Sequence, residues 1–368
     1  MMSAIAAHFD ILYSRCLDPS GRVVGALPDF ARDGEYLTWL YRALVRARSF
    51  DAKAVALQRT GRLGTYASSL GQEAVSVGVV GAMRPEDVLV PSFREHGGQL
   101  LRGVTPLELF LYWGGDERGS DFAGPRQDFP VSVPVGSHAP HAVGVALALK
   151  LRREPRVAVC VFGDGASSKG DVAEALNIAG VWRLPVLFVI TNNQWAISVP
   201  RARQSAAETL AQKAVAAGMS GEQVDGNDVL AMRAAAGAAI ERARHGEGPS
   251  LLEALTYRLS DHTTSDDASR YRDDSEVTSR WQEEPVVRLR RYLTDTGHWT
   301  QQDEEHLLRE TAVEIDAAAS GYLATPAQGL KSIFDYTFAE LPPELASQRD
   351  SMFANAKASQ PSAETVSR

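Results

Sequence analysis

The chain has 368 residues, 44% of them apolar and 23% charged, the balance of a soluble globular protein long enough for an extensive core. Its formal net charge of -8 argues against a general nucleic-acid surface, which needs basic patches, but allows a locally positive site for an anionic ligand. Cys16 and Cys160 are too few for a disulfide framework or a zinc cluster, and no apolar run is long enough to span a bilayer. Residues 1–7 lack the basic flank and apolar run of a leader, so a reducing cytoplasm is the expected location, with no membrane or nucleic-acid partner.

Residues 1–34 are rich in turn formers (Pro19, Gly21, Gly25, Pro28) and read as an extended arm. From Glu35, the residues Leu40, Ala43, Ala47, Phe50, Ala54 and Leu57 recur at helical spacing until Gly61 and Gly64 close the helix. A second helix is predicted over 70–83, a short strand over 87–90, and a helix over 107–113. Residues 114–134 form a long loop, a length that in a compact domain is usually functional. Pro140 sits in the first turn of a helix running to about 153. The chain then alternates: strand 156–162, helix 170–182, strand 185–191, helix 206–217, strand 222–225, helix 228–244 and strand 251–258. Near-continuous apolar strands divided by helices predict an α/β fold with a doubly wound parallel sheet, whose ligands bind at the carboxyl ends of the strands. Helices follow from about 278, and residues from 357 read as a polar, disordered tail. The expected organisation is an arm (1–34), an α/β domain (35–320) and a C-terminal helical segment with the tail (321–368).

The chemistry concentrates where two predicted strands end. One runs into Gly163-Asp164-Gly165 and the next into Asn192-Asn193, with 26 residues between Gly165 and Asn192, room for one helix and one strand. A right-handed crossover places both clusters on one sheet edge. Magnesium takes about six oxygen ligands, commonly one or two carboxylates plus phosphates. Asp164 offers a carboxylate, Asn193 an amide oxygen, and the turn Gln194-Trp195 a main-chain carbonyl. Gly163 and Gly165 let the main chain approach phosphates. Gly-Asp-Gly and Asn-Asn are also ordinary turn sequences, so the residues alone leave a turn and a diphosphate site both open.

The run from Gly163 to Asn193 resembles the thiamine diphosphate motif. Other segments resemble alpha subunits of the pyruvate and branched-chain 2-oxo acid dehydrogenases: Gly71-Gln72-Glu73-Ala74, the run from Pro91 to Gly97, Val224-Asp225-Gly226-Asn227-Asp228, Tyr257-Arg258 and the run from His262 to Asp267. The likeness extends from about Tyr36 to about Arg291 and implies the thiamine-diphosphate-binding fold. It implies that Asp164, the Asn193 side chain and the Trp195 carbonyl ligate magnesium, that Arg94 grips the diphosphate, and that Gly165 and Ala166 approach it by main chain. Val135, with Val133 beside it, is implied near the aminopyrimidine ring. Similar proteins commonly have Tyr where this chain has Phe93 and Trp195. Some have an arginine at Thr191, for which Lys169 or another cation is expected to compensate.

The loop 260–272 would look unremarkable by itself, but it leaves the last strand on the ligand-binding edge. The resemblance makes His262 its catalytic residue, also close to the cofactor, and makes Arg258, Asp266, Tyr271 and Arg272 the network that closes it. It further implies a tetramer of two alpha and two beta chains, the beta chain supplying the carboxylic acid that activates the cofactor. The acyl group of a small 2-oxo acid then passes to the lipoyl domain of an acyltransferase. Pyruvate is the favoured substrate; branched-chain 2-oxo acid and acetoin dehydrogenases are the alternatives. A dinucleotide-binding enzyme is disfavoured because no G-x-G-x-x-G opens a helix after any predicted strand. His141 reads as capping or core packing, while His96 is open between helix packing and the site.

Overall fold

A computed structural model describes residues 3–358, so the polar tail expected from 357 lies, past Ala358, outside the described residues. Two compact units are present, divided between Leu323 and Ala324. The first contains a six-stranded, wholly parallel sheet in the order β1-β7-β8-β4-β3-β2. Its strands are β1 (Leu12–Ser14), β2 (Val88–Val90), β3 (Ala158–Gly163), β4 (Val186–Asn192), β7 (Ser220–Asp225) and β8 (Ser250–Leu255). A two-stranded antiparallel hairpin, β5 (Trp195–Ala196) with β6 (Val199–Pro200), follows β4 directly.

The apolar runs have the origin expected of them. Alternate residues of β3 feed different cores: Val159 and Val161 belong to one cluster, Ala158, Cys160 and Phe162 to the other. A strand buried on both faces has no polar alternation to show. On the first face lie α1 (Gly34–Arg59), α2 (Glu73–Gly81) and α9 (Val229–Arg244); on the second, α5 (His138–Arg152) and α6 (Gly170–Val181). Between these run α3 (His96–Arg102), α4 (Pro106–Trp113), α7 (Arg201–Gln204) and α8 (Gln212–Ala216). Helix α1 starts where Asp33 accepts from the N–H groups of Glu35 and Tyr36, and α4 where Thr105 and Glu108 form a reciprocal cap. Helices Asp274–Arg280 and Pro285–Asp295, with Gln301–Ala324 up to Leu323, complete the first unit; Ser332–Asp335 and Pro343–Ala358 lie in the second. No helix among the described residues is long and apolar enough to cross a membrane.

Three elements differ from expectation. Within the arm, Leu12–Ser14 adds the edge strand β1, anchored by partners distant in sequence: Arg15 pairs with Asp225 (2.7 Å), and Asp228 accepts from the N–H groups of Cys16 and Leu17 (2.6 Å each) while capping α9. The predicted helix 206–217 is helical only over Gln212–Ala216. Arg201 takes the carbonyls of Ser205, Ala207 and Glu208 as acceptors, and the Ala211 N–H donates to Glu253. Helix α3 was not predicted, because Gly97-Gly98 reads as a turn; both glycines let α3 sit against α2, where a Cβ on Gly98 would come within 2.9 Å of Val80.

Candidate active site

In the parallel register Gly163 of β3 lies opposite Thr191 of β4, so Asp164 and Asn193 leave adjacent strand ends together. Asp164 opens a turn of 3-10 helix over Asp164–Ser168 that precedes α6. Helix α6 then begins at Gly170, where the sequence predicts it. Gly165 permits hairpin β5 to close over that turn: a Cβ on it would stand 2.7 Å from the Ala196 side chain. Gln194 and Ile197, which flank the hairpin strand, both adopt positive φ (74° and 55°), a conformation non-glycine residues rarely take.

These elements open onto a cavity enclosing about 820 Å³ of non-protein space, its mouth included. Phe93, Arg94, Val135, Asp164, Gly165, Ala166, Asn193, Trp195 and His262 all line it. Val133 does not: its side chain is 55% exposed, and Ser132 lines the wall instead. Lys169 is exposed at the surface rather than in the cavity. The cation whose charge acts on the Asp164 carboxyl is Arg258.

Asp164 is 2% exposed, and burial pushes its carboxyl above the usual aspartate range. Gln204 donates to its Oδ2 from Nε2 at 2.9 Å. Asn193 donates from Nδ2 to Gln72 Oε1 (2.8 Å), which fixes the amide so that Oδ1 stands as an acceptor, met by the Trp195 N–H at 3.2 Å. The Trp195 indole donates to Tyr257 Oη (3.3 Å) and packs in a small cluster with Tyr257 and Leu259, while its carbonyl accepts from Arg258 Nη1 at 3.3 Å. One buried carboxylate, one oriented amide oxygen and one carbonyl make a hard, oxygen-only donor set that suits magnesium completed by phosphate oxygens. Among the described residues there is no cluster of three His, Cys, Asp or Glu that would hold a metal without such help.

Arg94 and Arg258 are buried guanidinium groups, and neither is in an ion pair among the described residues. Arg94 donates to the Ser68 and His262 carbonyls; burial, with Arg258 nearby, lowers its pKa to about 10. Its Cζ also lies 5.3 Å from the Phe93 ring centroid. Arg94, a buried cation lining the cavity with no direct ion pair among the described residues, suits an anionic ligand there.

The loop 260–272 is tied down by the predicted network. Arg258 donates to Tyr271 Oη and to the Ile197 carbonyl (2.9 Å each), Tyr271 is bonded to Asp266, and Asp266 accepts from the His262 N–H at 3.0 Å. Arg272 donates to the carbonyls of Arg258 and Ser260. Thr264 and Tyr66 bond reciprocally, through N–H to carbonyl (2.9 Å) and N–H to hydroxyl (3.0 Å). His262 Nδ1 accepts from Arg94 (3.0 Å) and Arg258 (3.4 Å), so the ring proton of the neutral form sits on Nε2. Burial, then the charges of Arg94 and Arg258, pull its pKa down to about 4, which keeps it neutral at physiological pH.

Sequence reasoning gave no site role to Gln72, Glu95 or His138, which line the cavity, or to Gln204, which contacts Asp164. Glu95 is buried, which pushes its carboxyl up to about 7, and it accepts from the Arg94 N–H at 3.3 Å. Thr191 Oγ1 is buried without a partner. His96 does not reach the cavity: its Nε2 accepts from Trp113 (3.0 Å) and its Nδ1 meets Tyr66 Oη, which donates to Asp51. His141 is exposed and bonds the Ser137 carbonyl at 2.9 Å, which is neither the cap nor the core packing expected of it, because the free groups at the start of α5 are N–H donors.

A parallel sheet with a buried carboxylate and an oriented amide at neighbouring strand ends, opening onto a cavity that Arg94 also lines, is the frame of an α/β enzyme. The chain belongs to the dehydrogenase E1 component family, whose model matches residues 41–330. It is 43% identical over 321 residues to the 3-methyl-2-oxobutanoate dehydrogenase subunit alpha of Mycobacterium tuberculosis, covering 87% of each chain. It is 40% identical over 333 residues to the pyruvate dehydrogenase E1 component subunit alpha of Acholeplasma laidlawii, covering 90% of this chain and 96% of that one. The same subunit of Bacillus subtilis is 38% identical over 336 residues, 90% of each chain. The chain is thus an oxidoreductase component of the 2-oxo acid dehydrogenase class.

Proposed function

We propose that this chain is the alpha subunit of a 2-oxo acid dehydrogenase that binds thiamine diphosphate with magnesium and works in a tetramer with two beta chains. The observation that carries this reading is the Asp164–Asn193 corner in a cavity that the buried Arg94 also lines, with Arg258 bonded behind its wall to His262 and the Trp195 carbonyl. Asp164, Asn193 Oδ1 and the Trp195 carbonyl would hold the ion. Arg94 would take the diphosphate, with Gly165 and Ala166 offering main chain and Phe93 and Val135 apolar wall. Bound there, thiamine diphosphate would supply the nucleophilic carbon needed for decarboxylation of a 2-oxo acid.

The residues of the chain do the rest. His262 presents an Nε2–H donor held by two guanidinium groups, suited to steady a developing oxyanion on the substrate or to meet an incoming lipoyl group. Arg258, Asp266, Tyr271 and Arg272 keep that loop over the site and restrict water. Val133, Val135, Ile197 and Val199 expose apolar side chains, surface that a beta chain covering the cavity mouth would bury.

Pyruvate is the first substrate to test. The 43% identity to a 3-methyl-2-oxobutanoate dehydrogenase subunit supports the branched acid as a second. The experiment is co-expression with a partner beta chain, then turnover of pyruvate, 3-methyl-2-oxobutanoate and acetoin with a lipoyl-domain acceptor. The assembled enzyme is expected to turn over a 2-oxo acid, and this chain alone to give no more than a trace of that rate. Full-rate decarboxylation by the chain alone contradicts the reading.

A further inference from the structure

Asp51 lies on α1, 3% exposed and outside the cavity wall. Four donors converge on its carboxylate. Oδ1 accepts from Tyr66 Oη (2.8 Å), the Ser69 N–H (2.7 Å) and Ser69 Oγ (3.3 Å), and Oδ2 accepts from Ser68 Oγ (2.6 Å). No arginine or lysine pairs with it among the described residues; Arg48, whose charge acts on it, pairs instead with Glu73 and Glu284. Burial pushes the carboxyl above the usual aspartate range, and the bonds from Ser68, Ser69 and Tyr66 oppose that shift. A buried carboxylate is costly unless hydrogen bonds satisfy it, and these bonds all come from residues 66–69.

The strip 65–71 that Asp51 anchors runs beside residues 256–265. The Gly71 carbonyl accepts from Thr256 Oγ1 (2.9 Å) and the Leu70 carbonyl from the Leu259 N–H (3.3 Å). Thr65 and Ser265 share a hydroxyl bond (2.8 Å), next to the reciprocal pair of Tyr66 and Thr264. Ser68 stands in the middle of the strip. Its hydroxyl donates to Asp51 and accepts from the Leu70 N–H (3.1 Å), while its carbonyl accepts from Arg94 Nη1. Arg94 therefore lines the cavity clasped between two carbonyls, Ser68 on the strip and His262 on the loop. Burial and then Arg258 lower the Arg94 pKa, while the charges of Glu95 and Asp51 raise it.

We propose that Asp51 is a positioning residue for Arg94: it fixes the Ser68 carbonyl, and through it the guanidinium that takes the diphosphate, an inference that rests on the thiamine diphosphate reading. Asparagine in place of Asp51 keeps the shape and isolates the link. Three donors meet at Oδ1, so the amide keeps its oxygen there and turns its NH2 toward Ser68 Oγ. The Ser68 hydroxyl then loses its acceptor, while Tyr66 and Ser69 stay held.

The test is a double-mutant cycle, read by calorimetric titration of the assembled enzyme, with magnesium, by thiamine diphosphate. Asp51→Asn is expected to weaken binding about tenfold, the scale of one hydrogen bond to a charged group. In the Arg94→Met background the same change is expected to cost less than about twofold, because the group it positions is gone. A merely structural role would cost the same factor in both backgrounds. Ser68→Ala cuts the link from its other side and takes the place of Asp51→Asn should that variant fail to fold, with the same dependence on Arg94 expected. Equal losses in both backgrounds, or no loss when Arg94 is present, overturn the proposal while leaving the wider reading intact. An unaltered enzyme that binds no thiamine diphosphate overturns both.

Discussion

Asp164→Asn is expected to make the cofactor-free protein more resistant to heat while destroying its response to magnesium and thiamine diphosphate. The first half follows from burial: the carboxylate is 2% exposed and its pKa is raised because the interior disfavours its charge. An asparagine keeps the shape, keeps an oxygen for Gln204 to donate to, and removes the charge. The second half follows because magnesium needs an anionic oxygen here and Asn193 already supplies a neutral one. The unaltered enzyme should gain about 2.7 kcal/mol of stability at a hundredfold excess of cofactor over its Kd, visible as a higher melting temperature. The variant should gain nothing, and kcat/KM should fall by on the order of a thousandfold, about 4 kcal/mol of lost transition-state stabilisation. Scanning calorimetry with and without cofactor checks both. A variant that is less stable and still responds to cofactor contradicts the assignment.

Arg94→Met is the second large effect. Arg94 is a buried cation whose protein partners are carbonyls and an imidazole, with Arg258 close enough to depress its pKa further. Methionine fills similar space without charge. Relief of desolvation then offsets much of the loss of the bonds to Ser68 and His262, so the cost to folding is expected to stay within about 1–2 kcal/mol. Affinity for thiamine diphosphate should fall far more, on the order of a hundredfold for two charge-assisted bonds. Arg94→Lys should not rescue it, because an ammonium cannot reproduce the planar fork. Since Arg94 also holds the His262 carbonyl, the loop 260–272 should become a faster target for limited proteolysis. Unchanged affinity in Arg94→Met would place the diphosphate elsewhere.

Much of this was legible in the sequence, for reasons that can be named. β3 and β4 were readable because both faces of each are buried, and their ends could be placed together because parallel strands joined by one helix are commonly neighbours. That Asp164 and Asn193 lie together therefore followed from spacing, while their role as ligands was implied by the resemblance. What was not legible depends on direction and distance. Val133 and Val135 stand on either side of Pro134 in one loop, and nothing in the sequence says which side chain lines the cavity. His138 looks like any histidine at a helix start until its Nε2 is seen on Val161. The compensating cation was sought at Lys169, near the turn in sequence, whereas Arg258 reaches the same region from the end of the strand segment after β8. β1 escaped notice because three half-polar residues carry no periodicity; its anchors, Asp225 and Asp228, lie more than two hundred residues away. The same two aspartates explain why the Val224–Asp228 segment is so distinctive: Asp225 pairs with Arg15 and Arg288, and Asp228 caps α9.

The most direct measurement is the anomalous diffraction of manganese in crystals of the assembled enzyme grown with thiamine diphosphate. A single strong peak bonded to the Asp164 carboxylate, the Asn193 amide oxygen and the Trp195 carbonyl is the predicted result. A peak at other residues, or none while Gln204 still holds Asp164, would contradict it.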